Sequence, residues 1–237
     1  MQLKYLLSVF FLISASLSML AQDSGFSWGI SLYPNSSGRR LVALGNYDDE
    51  FIRNLEALEM PKFSYSAGLV AEWRAEKLGF RMGLNYTNSG YQTIKQIFPD
   101  DEPNPDNASH IRERFHSTYI ELPIEFLFSH NLKEGSALFF MLGTSFALNL
   151  SNTTQTILYF GETNQSSTAD TEGDFNAFNY AFQSGIGWKA DIGSRFTLVL
   201  QPNFQFWLKG LLQESNVNRN LYALGLKTVV LLRPIEL

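Results

Sequence analysis

Three histidines, His110, His116 and His130, are the side chains best suited to proton transfer near neutral pH. His116 is followed by Ser117 and preceded by Glu113, so a base, a nucleophile and an acid fall close together. Neighbouring residues on an extended strand point to opposite faces, which makes His116 and Ser117 a poor nucleophile–base pair. Asp100, Asp101, Glu102 and Asp106 form an acidic run without the spacing of a calcium loop, and read as solvated loop acids. The chain has no cysteine, which removes thiolate metal ligands and disulfides. No glycine-rich loop stands between a strand and a helix to hold phosphate. These residues lead to a chain with no catalytic, cofactor-binding or metal-ligating site, and so to a protein that is not an enzyme.

The elements that position these residues are long strands. In Arg195–Lys209, Phe196, Leu198, Leu200, Pro202, Phe204, Phe206 and Leu208 alternate with Arg195, Thr197, Val199, Gln201, Asn203, Gln205, Trp207 and Lys209. Alternation at period two gives one greasy and one mostly polar face. The stretch exceeds a usual globular strand of about five or six residues and reaches the roughly 9–11 that cross a bilayer at a tilt. Similar stretches are expected at 27–34, 62–74, 77–91, 115–129, 136–151, 175–191 and 219–233. That makes eight strands, joined by connections that run long, short, long, short, long, short, long. Within the first long connection, Phe51, Ile52, Leu55 and Leu58 recur at helical spacing, so Asp48–Glu59 reads as a short helix packed on a rim, with a lid or docking element as the alternative. The segments 92–114, 152–174 and 210–218 read as polar loops.

Residues 1–21 have the form of a secretory signal: Lys4, an apolar run from Tyr5 to Ile13, then small residues up to Ala21. The domain is then 22–237. The full chain carries 18 Lys+Arg against 23 Asp+Glu, a net −5, which argues against a nucleic-acid partner. Alternating loop lengths and an even strand count are the pattern of an outer-membrane barrel, with short periplasmic turns and longer outer loops. The rival is a soluble lipocalin-like carrier, which faces its apolar rows inward. The polar rows decide between them. Ser64, Ser66, Gly68, Gly83, Ser145, Ala147, Gly185, Gly187 and Gly225 suit a crowded eight-stranded lumen better than a solvated exterior. Trp28, Trp73 and Trp188 lie toward strand ends on the greasy face, where an interfacial girdle is expected. The fold class is therefore all-β, an eight-stranded antiparallel up-and-down transmembrane β-barrel behind an N-terminal signal peptide.

Charges on the polar rows must pair if they face a lumen. Arg81 falls between Glu72 on one neighbouring strand and Glu121 and Glu125 on the other. A structural ion cluster of Glu72, Arg81, Glu121 and Glu125 is expected, with Lys189, Lys209 and Lys227 on the late strands.

The stretch Tyr119-Ile-Glu-Leu-Pro-Ile-Glu-Phe-Leu-Phe128 resembles a mid-barrel segment of the PorT-like outer-membrane β-barrel family of Bacteroidota. Gly-rich strands, long polar loops and a leader ending near Ala21-Gln22 fit the same family. The resemblance implies residence in the outer membrane of a Gram-negative cell. It implies no single activity, although some members are linked to protein secretion. The expected role is structural, accessory or surface-binding, with the bilayer as one partner and a protein met through the outer loops as another. An outer-membrane lipid hydrolase and the lipocalin-like carrier are the alternatives. Pro123 on the lumen row is expected to interrupt one ladder bond, and the chain ends in Leu237 where many barrels end in an aromatic.

Overall fold

The computed structural model describes residues 25–43, 48–99, 104, 107–213 and 217–233. The leader reading at 1–21, the acids Asp100, Asp101, Glu102 and Asp106, and the chain end at Leu237 lie outside the described residues.

Eight long strands form a ring: β1 (Gly25–Ala43), β3 (Lys62–Ala75), β4 (Leu78–Thr93), β6 (His110–Lys133), β7 (Ser136–Phe160), β9 (Phe178–Ile192), β10 (Phe196–Trp207) and β11 (Val217–Leu232). Each pairs antiparallel with the next, and β11 closes on β1. The ladder can be followed from Trp28 through Ala71, Met82, Ile124, Thr144, Phe182, Phe206 and Tyr222. It arrives at Gly38, ten residues further along β1. A stagger of that size over eight strands tilts them by about 40°, within the range of closed barrels.

The ring is not the whole sheet, which corrects the count of eight. Eleven strands are present among the described residues. The added three are β2 (Glu59–Met60), paired with β4, β5 (Gln96–Ile97), paired with β6, and β8 (Thr163–Asp170), paired with β7. All three sit at the end of the long connections. β1 also extends to Ala43, well past the sequence reading at Pro34. The segment 152–174 is largely a continuation of β7 and a hairpin into β8, where a loop was expected. Gly161, with φ +64°, supplies the backbone that a two-residue hairpin turn requires.

One end of the barrel holds the short turns near Glu76, Gly135 and Gly193 together with Gly25 and Arg233. The other holds the long connections. At this loop end α1 (Asp49–Ala57) starts at Asp48, whose side chain accepts from the Glu50 amide, and ends at Leu58. Glu56 Oε1 accepts from the Leu41 amide at 3.0 Å, and Leu58 O accepts from Ile94 N at 2.9 Å. These bonds fix α1 to the rim; of the apolar residues at helical spacing, Ile52 and Leu55 are half-buried whereas Phe51 and Leu58 are exposed.

The two faces of the ladder divide as the alternation requires. Ser64, Ser145 and Gln201 are wholly buried, whereas Ile30, Leu69 and Ile186 are each about three-fifths exposed. A carrier with its apolar rows inward is thereby excluded. On the outside, Phe26, Trp73, Phe80 and Phe126 form a continuous series of ring contacts near the turn end, with centroids 5.1, 5.9 and 5.5 Å apart. Tyr65–Tyr86 and Phe146–Phe178 make similar contacts toward the loop end. Two aromatic belts flanking an aliphatic band match the depth profile of a bilayer.

Candidate functional site: a filled lumen and a built loop end

The register brings Arg81 opposite Glu72 on one side and Glu125 on the other. Arg81 Nε and Nη2 both donate to Glu72 Oε2, at 3.0 and 2.7 Å, and Nη1 donates to Glu125 Oε2 at 3.1 Å. Nη1 also donates to Gln201 Oε1 at 3.1 Å, so the guanidinium reaches across the barrel to β10. Lys227 Nζ on β11 donates to the other oxygen of Glu125. Two acids and two cations thus share one buried cluster. The planar fork of arginine allows one side chain to serve three partners.

Glu121 does not join this cluster, a correction to the expected set of four. It lies four residues up the strand from Glu125, roughly 13 Å away along an extended backbone. The Arg81 donors are already committed. Glu121 accepts instead from Thr87 Oγ1 at 2.7 Å, from Gln183 Nε2 at 3.2 Å and from Gln205 Nε2. Gln205 also reaches Ser145 Oγ at 3.2 Å. Lys189 bonds Ser129 Oγ at 3.0 Å and forms no ion pair among the described residues, while Lys209 is exposed beyond β10.

Apolar groups fill the remaining lumen. Val70, Leu127, Phe139, Met141, Val199, Val229 and Leu231 pack around the Arg81 cluster, and Tyr33, Tyr91, Tyr119, Trp207 and Leu221 close the loop half. Small residues are what admit these side chains. A Cβ at Gly187 would lie 2.1 Å from the Phe139 ring. Gly187→Ala is expected to lower stability by about 1–3 kcal/mol through overpacking. Phe139→Leu in the same chain is expected to recover part of that loss, and denaturant midpoints in vesicles check both values.

At the loop end, Arg39 pairs with Glu59, lies 3.9 Å over the Tyr91 ring and donates to its hydroxyl at 3.0 Å. This clamp ties β1, β2 and β4 together. His116 sits above the apolar row of β6, with Nδ1 3.3 Å from Asn88 Oδ1, while Ser117 is buried in the wall. Among the described residues no hydrogen bond joins Ser117 to His116. Among the described residues no group of three or more His, Asp or Glu is arranged to hold a metal ion.

Sequence reasoning placed Lys227 on the lumen row without its partner Glu125, and missed Gln201, Gln183 and Gln205, because these groups meet across the lumen from strands that are not neighbours; it also missed Thr87, which reaches Glu121 from the adjacent β4. It also missed the β7–β8 hairpin, whose signal was the two-residue Gly161-Glu162 turn between Thr-rich runs.

The outer membrane protein β-barrel domain family matches residues 20–209. The chain belongs to this family. It is an outer-membrane β-barrel protein, and its turn end is the periplasmic end. A search of the curated proteins finds no match. Among solved structures, Neisserial surface protein A is similar at 12% identity, covering 87% of this chain and 97% of that one, with a TM-score of 0.42. Ail, the attachment invasion locus protein of Yersinia pestis, is similar in its complex with the heparin analogue sucrose octasulfate. That match has 14% identity, covers 86% of this chain and 99% of that one, and has a TM-score of 0.32.

Proposed function

We infer that this outer-membrane barrel is a non-enzymatic accessory or interaction protein that works through its loop end. The observation that carries the reading is the filled lumen. Ion pairs, amides and aromatic rings occupy it from end to end, whereas aqueous channels are built from about 16–18 strands. Further ordered structure lies above the bilayer, where β2, β5 and β8 extend the sheet beyond the ring and α1 is bonded to the rim. The segment Tyr119–Phe128 supports a place in the PorT-like group, and through that resemblance a link to protein secretion.

Planar-bilayer recording is expected to show no conductance step above leak for the purified full chain; stable steps would contradict the reading. The complementary experiment places a photo-reactive side chain at Ile97, an exposed residue of β5 at the loop end. Cross-linking in native membranes is expected to capture a protein partner there. Lipid adducts alone would count against an interaction role.

A further inference from the structure

β8 is an open edge. Among the described residues it pairs with β7 alone, and all eight of its residues are exposed. Just beyond it, the Thr171 amide donates to Asn152 O at 2.9 Å. In an antiparallel ladder the N–H and C=O of one residue face the same neighbour, and the direction alternates along the strand. The odd-numbered residues therefore face β7. Asn164, Ser166, Thr168 and Asp170 direct their N–H and C=O groups away from it. Natural edges are blunted with lysine, proline, a bulge or a cover. Thr163-Asn-Gln-Ser-Ser-Thr-Ala-Asp170 carries no lysine or proline, and its register with β7 runs without a shift.

We propose that the free edge of β8 accepts an extended, basic polypeptide segment from another protein as an added antiparallel strand. The inference rests on reading the loop end as an interaction surface, and names the chemistry of its partner. A row of alternating donors and acceptors at strand spacing is matched by another extended backbone. Charge sets the sign of the partner. Residues 135–188 carry Glu162, Asp170, Glu172 and Asp174 and no Lys, Arg or His. The nearest cations are Lys95, whose Nζ lies 4.3 Å over the Tyr159 ring of β7, and Arg112 and Arg114 on β6, two strands from the free edge; none is on β8 itself.

A second copy of this chain is a poor occupant. Copies in one membrane are related by rotation about the bilayer normal, which preserves the up–down direction of every strand. Antiparallel pairing of two β8 edges needs a twofold axis lying in the membrane plane, which would invert one barrel. Self-pairing would also set four acids against four.

The test uses the full chain in detergent micelles and a fluorescent octapeptide of alternating threonine and valine with a lysine at each end. Anisotropy is expected to show saturable binding, and Ser166→Pro to weaken it by about tenfold or more. That proline removes an N–H that points away from β7, so amide exchange across the β7–β8 ladder is expected to stay as in the parent. Ser166→Ala is expected to bind normally. The same peptide N-methylated on alternate residues, or ended with glutamates, is expected to bind poorly. Absence of binding, equal binding of the N-methylated peptide, or unchanged binding by Ser166→Pro with its ladder intact would each overturn the proposal. A silent chain in bilayer recording that ignores the peptide removes this inference alone, whereas a conducting chain removes the interaction reading as well.

Discussion

Arg81→Met is expected to lower the unfolding free energy of the barrel by about 3–5 kcal/mol. That is the usual loss when one partner of a buried ionic group is removed and the others are stranded. Glu72 is 2% exposed and keeps as its remaining ion pair among the described residues only Arg74, at 3.4 Å and itself one-third exposed, with the Lys189 charge acting from further off. Glu125 keeps Lys227. The loss should therefore be traced mainly to Glu72. Combining Arg81→Met with Glu72→Met is expected to recover most of the stability, because an apolar pair of similar volume replaces the stranded carboxylate. Arg81→Lys should fall between parent and Arg81→Met, since an ammonium cannot reach Glu72, Glu125 and Gln201 together. Denaturant titration of folded chain in phospholipid vesicles measures all four. If Arg81→Met unfolds with the parent, these charges do not occupy a closed lumen.

The second large effect lies on the other face. Leu69 is about three-fifths exposed at mid-strand, and on a soluble protein Leu69→Arg would change little. Here it places a guanidinium at the bilayer interior, where barrel substitutions cost about 2–4 kcal/mol. Phe63→Arg, six residues toward the loop end on the same row, is expected to cost only about 0–1 kcal/mol, because the penalty falls steeply near the interface. The same vesicle titration reads both. Equal effects at the two depths would place this row in water.

Much of this architecture was legible because lipid enforces it. A face that touches hydrocarbon must be apolar at every second residue, so rows such as Leu198–Leu200–Pro202–Phe204 marked the strands and the Gly135 and Gly193 turns marked their ends. The upper part of β1, Asn35-Ser-Ser-Gly-Arg-Arg40, lost that signal because its residues leave the hydrocarbon. The β7–β8 hairpin lost it for the same reason: nothing apolar needs to alternate in water. The pairing of Arg81 with Glu72 and Glu125 followed from neighbouring strands. The contacts of Lys227 with Glu125 and of Gln205 with Glu121 depend on the ring's stagger, which local patterning does not encode. Glu121 was misplaced because acids four residues apart on one face looked interchangeable from the neighbouring strand, and only the register separates them.

Which row touches lipid decides the architecture. The chain has no cysteine, so single thiols can be introduced at Ile186 and at Ser145 and exposed to a maleimide confined to the bilayer interior. Ile186→Cys is predicted to label rapidly and Ser145→Cys, wholly buried in the lumen, to remain unlabelled until the barrel is unfolded. Rapid labelling of folded Ser145→Cys with protection at Ile186→Cys would contradict the account.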